Sequence, residues 1–339
     1  MRSYLRGDTE MRLGLRLPTF TRPGEFSSYE VLRNYVSEAE ELGVEGFFVI
    51  DHLLTTRPAY STSWHDPLIA LSFVAAATKK AVVGPMVMVL PFRSPYTVSK
   101  QTASLDVYSG GRFVLGAGVG WNPEEFKLLN TPLEKRGAIM DEYLVLLKKL
   151  WTEDKITFEG KFFNVKDLVI EPKPLQRPHP PIWIGGGSQP HEILYGAAAK
   201  GIDKVLYRVA KFADGWIPHS SSTPEMATED WSKVKKYAEE LGRDPYSITK
   251  VYSNFVYLRS PGEDDNEAVK RFSLYSGMNL EYWRSFYLYG TVEEVAEKIK
   301  KRIQSLEGVD WVVLNPVTFE KRQLLKITQE LYPKIHKVI

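Results

Sequence analysis

The sequence contains no cysteine and has almost no excess of either charge. The absence of cysteine among the 339 residues excludes disulfides, thiolate catalysis and cysteine-ligated zinc sites. The 44 Lys and Arg residues nearly balance 42 Asp and Glu residues, so the net charge of +2 gives no sign of nucleic-acid binding. No apolar run is long enough to span a membrane, and the first residues lack the apolar core of a signal peptide. We therefore expect a cytoplasmic protein that binds neither nucleic acid nor membrane.

The overall composition is typical of a globular protein with a sizeable core. Hydrophobic residues make up 43% of the chain and charged residues 25%. A length of 339 residues fits one large α/β barrel that carries insertions. The core pattern begins at Met11, so we expect a short tail over 1–10 and a single domain over 11–339.

Short β-branched and aromatic runs alternate with longer amphipathic segments, the pattern of parallel βα units. The predicted strands cover residues 11–17, 46–50, 82–90, 113–117, 182–184, 215–218, 249–258 and 311–314. Eight such units close most naturally into a (β/α)₈ TIM barrel. A doubly wound sheet could use some of the same units, but no GxGxxG sequence opens the first βα turn. The predicted fold class is therefore an α/β barrel.

Capping signals predict where several helices begin. They are the capping-box pairs Ser27/Glu30 and Thr291/Glu294 and the N-cap pairs Asp66-Pro67, Ser94-Pro95 and Thr223-Pro224. Residues 152–181, between the fourth and fifth strands, contain a hairpin pattern (KITFEGKFFNV) and a proline-rich stretch. This segment is too short for a core of its own, so it is predicted to be an insertion on the barrel.

The ends of the predicted strands exclude two enzyme classes, because chemistry in such barrels sits at the C-terminal ends of the strands. No His-x-His follows the first strand, which disfavours a metal-dependent hydrolase, and no metal site is predicted. Glu124 and Glu125 follow the fourth strand, but the seventh strand offers no partner carboxylate for a glycosidase.

Two histidines follow strands and are candidates for proton transfer. Asp51-His52 ends the second strand, where His52 could exchange a proton and Asp51 could orient it or bind a cofactor edge. The alternative is a surface pair that makes only local hydrogen bonds. His219 follows the sixth strand and is a candidate for the substrate pocket.

Glycine-rich turns follow the fourth and fifth strands. Gly185, Gly186, Gly187 and Ser188 lead from a strand into a helix, a geometry that can hold a cofactor phosphate. Any tight turn can also use glycine. Gly118 and Gly120 allow close approach of a flat ring or simply fit a crowded rim, and Trp121 is either a pocket wall or a packed loop aromatic.

Five segments in order resemble the luciferase-like oxidoreductases. They are SGGRFVLGAGVGWNPEEF, RGAIMDEYLVLLKKLW, FEGKFFNV, PKPLQRPHPPIWIGGGS and VAKFADGWIP. The similarity covers about residues 11–316 and is closest to the deazaflavin (coenzyme F-420)-dependent branch. It implies a barrel with the redox ring at its mouth and the cofactor phosphate near the fifth strand.

The resemblance also implies roles for particular residues. Asp51 and His52 match the Asp-His pair of deazaflavin-using members, in which the histidine faces the ring, whereas FMN monooxygenases more often have Glu-His-His. Met86 and Val87 match a strand-three bulge that carries a non-proline cis peptide and backs the ring. The turn from Gly186 to Ser188 matches the phosphate-binding turn.

Other positions match scaffold roles or depart from the family pattern. Arg112 and Asp214 match motif positions at the N-terminal, stability side of their strands. The sugar-phosphate dehydrogenases of the family have Glu where Trp121 stands, which argues against that activity. The helical segment near 197–206 is longer than usual.

These observations lead to one main hypothesis and two alternatives. We expect hydride transfer between coenzyme F-420 and a small organic substrate, with His52 handling the proton. The alternatives are an FMN-dependent monooxygenase and a non-catalytic flavin-binding barrel. Family resemblance also suggests a possible homodimer. Aromatic residues in two loops suggest an apolar or ring-bearing substrate, or simply pack on one another: Tyr60, Trp64, Phe272, Tyr275, Tyr282, Trp283 and Phe286.

Overall fold

A computed structural model describes residues 11–21, 27–55, 62–190, 201–272 and 280–336. Its main sheet is a barrel of parallel strands, which confirms the predicted fold class. The barrel strands are β1 (Arg12–Arg16), β2 (Gly46–Val49), β3 (Val82–Pro85, resuming at Met88–Val89), β4 (Leu115–Gly118), β5 (Ile182–Gly185), β6 (Gly215–Ile217), β7 (Thr249–Leu258) and β8 (Trp311–Pro316).

The third strand closes the barrel in two pieces. Val82–Pro85 pairs with β2, and Met88–Val89 pairs with β4. The sequence predicts one continuous strand over 82–90, but the structure interrupts it at Met86-Val87, whose peptide bond is cis. The resemblance implies a cis peptide at this place. On the other side, β1 pairs with both β2 and β8, so the first and last strands form a seam.

Helices follow the strands as the alternating pattern predicts. Their bounds are α1 Tyr29–Glu41, α2 Pro67–Ala77, α3 Pro95–Tyr108, α4 Pro123–Leu128, α5 Arg136–Thr152, α6 Ile202–Phe212, α7 Pro224–Glu240, α8 Asp265–Phe272, α9 Leu280–Phe286, α10 Val292–Ser305, α11 Lys321–Leu325 and α12 Tyr332–Ile335. A π-helical stretch, Lys326–Leu331, joins α11 to α12. Within the described ranges, no helix is long and apolar enough to cross a membrane.

The predicted helix starts are confirmed at four positions and wrong at one. Asp66 caps α2, Thr223 caps α7 and Thr291 forms a capping box with Glu294. The capping box expected at Ser27 is wrong, because Ser28 is the N-cap of α1 and its third helical residue is Val31 rather than a glutamate. Ser94 occupies the N-cap of α3, but its side chain makes no capping hydrogen bond.

The barrel interior is filled by large aromatic side chains. Phe48, Trp183 and Trp311 come from three different strands and pack with ring centroids 5.6–6.0 Å apart. All three are fully buried, so the barrel is a packed core and not a channel. A bound ring can therefore lie only above these side chains, at the mouth.

A hairpin and a rim strand lie outside the eight barrel strands. The predicted hairpin forms from Ile156–Glu159 and Asn164–Leu168, and it packs on Leu146 and Leu150 of α5. The rim strand, Leu288–Gly290, pairs in parallel with the last residues of β7. The sequence predicts helix up to about residue 287 and no strand between there and 311. This pairing, with α9, covers the outer half of β7.

The two predicted scaffold residues hold the bottom of the barrel. Arg112 donates to the carbonyl oxygens of Ser109, Ala81 and Ala75 at 2.7–2.8 Å. Asp214 accepts the amide of Ile182 at 3.0 Å. The tail over 1–10 lies outside the described residues, as does the part of the 197–206 segment before residue 201. The part from Ile202 onward forms the start of α6.

Candidate active site

The C-terminal ends of β3, β4 and β5 form a smooth patch at the mouth. Val87 is partly exposed, although Met86 and Met88 beside it are buried. A Cβ atom on Gly118 would lie 2.6 Å from Val87 Cγ2, and one on Gly185 would lie 2.9 Å from Val87 Cγ1. Both glycines therefore lie directly against the Val87 side chain. We call Val87, Gly118 and Gly185 the mouth platform.

Gly120 extends this close packing beyond β4. Its φ is +78°, which favours glycine, and a Cβ atom there would lie 2.6 Å from Val89 Cγ1. The glycines after β4 are thus explained by packing within the protein as well as by the expected approach of a ring. Contact of these glycines with a cofactor stays a prediction.

His52 lies at the end of β2, beside the platform strands. Its ring centroid is 5.0 Å from that of Trp64 and 5.6 Å from that of Trp121, so two indoles flank the imidazole. The His52 side chain is only 8% exposed. The structure thus brings together His52 and Trp121, two candidate residues that follow different strands. Trp64 reaches the site on Ser63–Trp64, a short strand paired with Phe20–Thr21.

Glu125 completes this group, although its place in the sequence predicts no role beside His52. It lies at the third position of α4 and is 1% exposed. Its Oε1 is 3.4 Å from His52 Nδ1 and accepts the amides of Leu53 and Leu54 at 2.7 and 3.1 Å. Burial alone would raise the pKa of Glu125, but the hydrogen bond and charge of His52 and the two amides lower it overall. The carboxylate is therefore ionised at neutral pH and places a negative charge beside the imidazole.

Asp51 is paired with an arginine. Its two carboxylate oxygens accept from the Arg93 guanidinium at 2.6 and 3.0 Å, and Oδ2 also accepts the Val89 amide at 2.9 Å. Burial lowers the pKa of Arg93, but Asp51 outweighs it and raises that pKa overall. Asp51 thus ties Val89, in the second piece of β3, to the residues that follow β2. Direct contact between Asp51 and a cofactor stays a prediction.

The glycine turn after β5 lies on the side of the platform strands opposite to β2 and His52. Gly186 and Gly187 have positive φ, and Gly186 donates its amide to the Ile217 carbonyl at 3.0 Å. The amide and the hydroxyl of Ser188 both donate to Asp230 of α7, each at 2.6 Å. The turn is partly exposed, as a tail-binding turn must be, but the donors of Ser188 already have an internal acceptor.

His219 lies at the mouth after β6 and is partly exposed. Its Nδ1 accepts the Ser221 amide at 3.2 Å, which places the proton of the neutral ring on Nε2. Burial, helped by the charge of Arg16, lowers the pKa of His219 to about 4. His219 is therefore a neutral hydrogen-bond donor at physiological pH, and not an acid.

Aromatic side chains form one wall of the mouth. Trp283, Tyr287 and Phe255 pack together with centroids 4.8–6.3 Å apart, and Trp283 is 1% exposed. For Trp283, mutual packing is the correct interpretation. Trp64, Tyr282 and Phe286 pack on the edge of this cluster and stay partly exposed. Tyr60 and Tyr275 lie outside the described residues, as does the side chain of Phe272.

The fold and this site can now be compared with known proteins. The model of the luciferase-like monooxygenase family matches residues 11–279, most of the chain. The chain belongs to the luciferase-like monooxygenase family. Among solved structures, the luciferase-like chain is similar to the monooxygenase RslO1 from Streptomyces bottropensis. The TM-score is 0.79 at 22% identity, over 95% of this chain and 99% of that one, which is a likeness of fold.

Curated relatives divide between two cofactors. The luciferase-like chain is 32% identical over 160 residues to an FMNH₂-dependent dimethylsulfone monooxygenase of Pseudomonas putida, covering 46% of this chain and 43% of that protein. It is 31% identical over 212 residues to an F-420-dependent glucose-6-phosphate dehydrogenase of Microbacterium testaceum, covering 61% and 56%. The aligned part thus spans about half the length of these relatives. Both relatives depend on a flavin-type cofactor.

The residues at the mouth fit a flavin-type ring. The platform is apolar and carries no side chain beyond Val87, so a flat ring can lie against it between His52 and the glycine turn. The donors around it are amides, hydroxyls and imidazoles, which suit a polar heterocycle. Among the described residues, no cluster of three or more His, Asp or Glu side chains could hold a metal ion.

Proposed function

We propose that this luciferase-like protein transfers a hydride between coenzyme F-420 and a small organic substrate. The observation that carries the proposal is His52, which follows β2 next to the platform strands and lies 3.4 Å from the ionised Glu125. When bound, the deazaflavin would supply or accept the hydride. An intact acid–base pair beside an apolar platform argues against the alternative of a non-catalytic flavin-binding barrel.

His52 has the geometry of a proton-handling group. Glu125 Oε1 lies 3.4 Å from Nδ1, so its charge favours a proton on that nitrogen and leaves Nε2 as the atom to exchange a proton with substrate. The indoles of Trp64 and Trp121 on either side restrict the ring's rotation and keep water from it. His219, a neutral donor through Nε2, can hydrogen-bond a substrate oxygen from the far side of the mouth.

The preference for coenzyme F-420 rests on the Asp-His pair at 51–52, which resembles that of deazaflavin-using members. A fluorescence titration of the apoprotein with coenzyme F-420 and, separately, with FMN tests it. We expect tight binding of coenzyme F-420 and weaker binding of FMN. Binding of neither would reject a flavin-type site at the mouth.

The role of His52 is tested by His52→Ala. We expect turnover to fall about 10²-fold or more while cofactor affinity is largely kept, because a positioned acid–base group contributes that much. His65→Ala is the matched control, since His65 is an exposed histidine on the same loop. Near-wild-type turnover in His52→Ala would remove His52 from the mechanism.

An FMN-dependent monooxygenase is the second candidate, favoured by the similarity to the dimethylsulfone enzyme. Reduced flavin reacts with oxygen, whereas a reduced deazaflavin does so poorly. Substrate-dependent oxygen uptake with FMNH₂ would therefore support this candidate. Its absence, together with reduction of substrate by reduced coenzyme F-420, would support the first.

The substrate class follows from the aromatic wall. Partly exposed Trp64, Tyr282 and Phe286 present apolar and ring surfaces to the mouth. We propose an apolar or ring-bearing substrate whose reacting oxygen reaches His52. Screening aromatic against short aliphatic carbonyl compounds, with F-420 oxidation followed by absorbance, distinguishes the two groups.

A further inference from the structure

An internal carboxylate lies against the turn where the resemblance implies a cofactor phosphate. Asp230 of α7 is fully buried and accepts from the amide and the hydroxyl of Ser188, each at 2.6 Å. A Cβ atom on Gly187 would lie 2.7 Å from Asp230 Oδ2, so glycine at this position is what admits the carboxylate. The donors that a phosphate would use are therefore directed at an anion of the protein.

A second anion at this turn would compete with Asp230 and be repelled by it. The repulsion between like charges a few ångströms apart grows with the charge that the ligand carries. A phosphomonoester such as that of FMN carries about −1.5 to −2 near pH 7. A phosphodiester, as in coenzyme F-420, carries a single negative charge over the same pH range. The two cofactors of the relatives thus differ in the property to which Asp230 responds.

We propose that Asp230 determines cofactor specificity by selecting against a phosphomonoester at the β5 turn and tolerating a singly charged phosphodiester. This inference rests on the proposed function, because it takes the ring to lie on the mouth platform with its tail at the turn. It assigns the discrimination between FMN and coenzyme F-420 to one carboxylate.

Among the described residues, the lysine one turn from Asp230 is paired with other carboxylates. Lys233, one turn further along α7, forms ion pairs with Asp203 of α6 at 3.2 Å and with Glu229 at 3.1 Å. Burial raises the pKa of Asp230, against the hydrogen bonds from Ser188 and the charge of Lys233, and Glu229 raises it further. Asp230 therefore takes up a proton more readily than an exposed aspartate as the pH falls.

The experiment compares two pairs of ligands by fluorescence titration. One pair is FMN and riboflavin, and the other is coenzyme F-420 and its deazaflavin core without the phosphate tail. Within each pair, the ratio of affinities isolates the contribution of the phosphate-bearing tail. The proteins are wild type, Asp230→Asn and the control Glu229→Gln, which removes an exposed carboxylate next to Asp230. Asparagine can still accept from the Ser188 amide and donate to its hydroxyl.

In Asp230→Asn, we expect the FMN-to-riboflavin affinity ratio to rise about tenfold or more. The ratio for the deazaflavin pair should rise by about threefold, because a diester carries about half the charge of the monoester. Glu229→Gln should change neither ratio. Unchanged ratios in a folded Asp230→Asn protein, shown by its circular dichroism spectrum and melting temperature, would overturn the proposal.

A pH series on the wild type needs no variant. The phosphodiester keeps its single charge between pH 8 and pH 5.5, so a change in the deazaflavin ratio reports on the protein. Protonation of Asp230 removes the repulsion, so the ratio should rise as the pH falls into the range in which Asp230 takes up a proton; a ratio that falls with the pH contradicts the inference. If the phosphate-free ligands bind but both tests show no effect, only this inference fails. If no ligand binds to either protein, the proposed function fails with it.

Discussion

At the scale of single residues, Glu125 has two roles that one substitution can separate. It accepts two loop amides, which is structural, and it holds a negative charge near His52, which is electrostatic. Glu125→Gln keeps an acceptor for the amides but removes the charge. We expect the melting temperature to change little and kcat to fall about tenfold, with KM nearly unchanged.

The matched control is Glu124→Gln on the same short helix, where the side chain is exposed. It should behave as wild type in steady-state kinetics. If Glu125→Gln keeps full kcat while Glu125→Ala loses stability, Glu125 serves only to hold the loop at 53–54.

The Asp51–Arg93 pair makes a prediction about stability and pH. Arg93→Met removes the guanidinium from Asp51, 4% exposed, and leaves it the Val89 amide among its described partners. Leaving a buried charge without its partner costs about 3 kcal/mol. Because burial raises the pKa of Asp51, the folded variant binds a proton at Asp51 more readily than the unfolded chain. The loss of stability should therefore be full at pH 7 and smaller at pH 5, as urea unfolding can measure.

The control for this prediction is an exposed ion pair on the insertion hairpin. Lys155 and Asp167 are 2.9 Å apart, with side chains 61% and 55% exposed. Lys155→Met should change the unfolding free energy by less than about 1 kcal/mol at either pH. Equal losses in both variants would mean that Asp51 is stabilised without Arg93.

At the scale of elements, two helix caps look alike in sequence and differ in the structure. Thr291 accepts the Glu294 amide and Glu294 reciprocates, whereas Ser94 makes no side-chain capping bond. Thr291→Ala should lower the unfolding free energy by about 1 kcal/mol. Ser94→Ala should change it by less than about 0.5 kcal/mol. Urea unfolding of the two variants side by side checks this, and equal effects would contradict it.

The mouth platform makes a prediction about packing between strands. Gly118→Ala would place a methyl group 2.6 Å from Val87 Cγ2, and such overpacking costs about 1–3 kcal/mol. In a Val87→Ala background the clashing methyl is gone, so the same substitution should cost less. A double-mutant cycle by urea unfolding should give a coupling of about 1 kcal/mol. Additive effects would show that Gly118 is required for another reason.

Regular elements could be predicted from sequence more fully than the contacts of the site. The β7 bounds and the Thr291 capping box were predictable because they depend on local patterns, alternation and cap spacing. The rim strand was not, because Leu288–Gly290 is three residues long and forms only by pairing with β7. The break in β3 was implied by resemblance, and the periodicity of 82–90 gave no sign of it.

At the scale of the whole molecule, some residues of the site could be predicted from sequence and others could not. His52 and Trp121 could be selected because both follow strands, and the closed barrel brings them together. Glu125 and Asp230 could not, because their roles come from packing across 72 and 42 residues of chain. A carboxylate placed early in a short helix after a strand was the available signal for Glu125. Asp230 lies in the middle of α7, where nothing local marks it.

The seam between β1 and β8 has a consequence for how the protein is made. Arg12 pairs with Trp311, so the first strand finds its last neighbour only after the intervening barrel strands and β8 itself have left the ribosome. Contacts so distant in sequence form late, because a long loop must close first. During translation, β1 can therefore pair with β2 while its other edge stays uncovered. Exposed strand edges aggregate, so chaperones that shield nascent chains should raise the yield of this barrel.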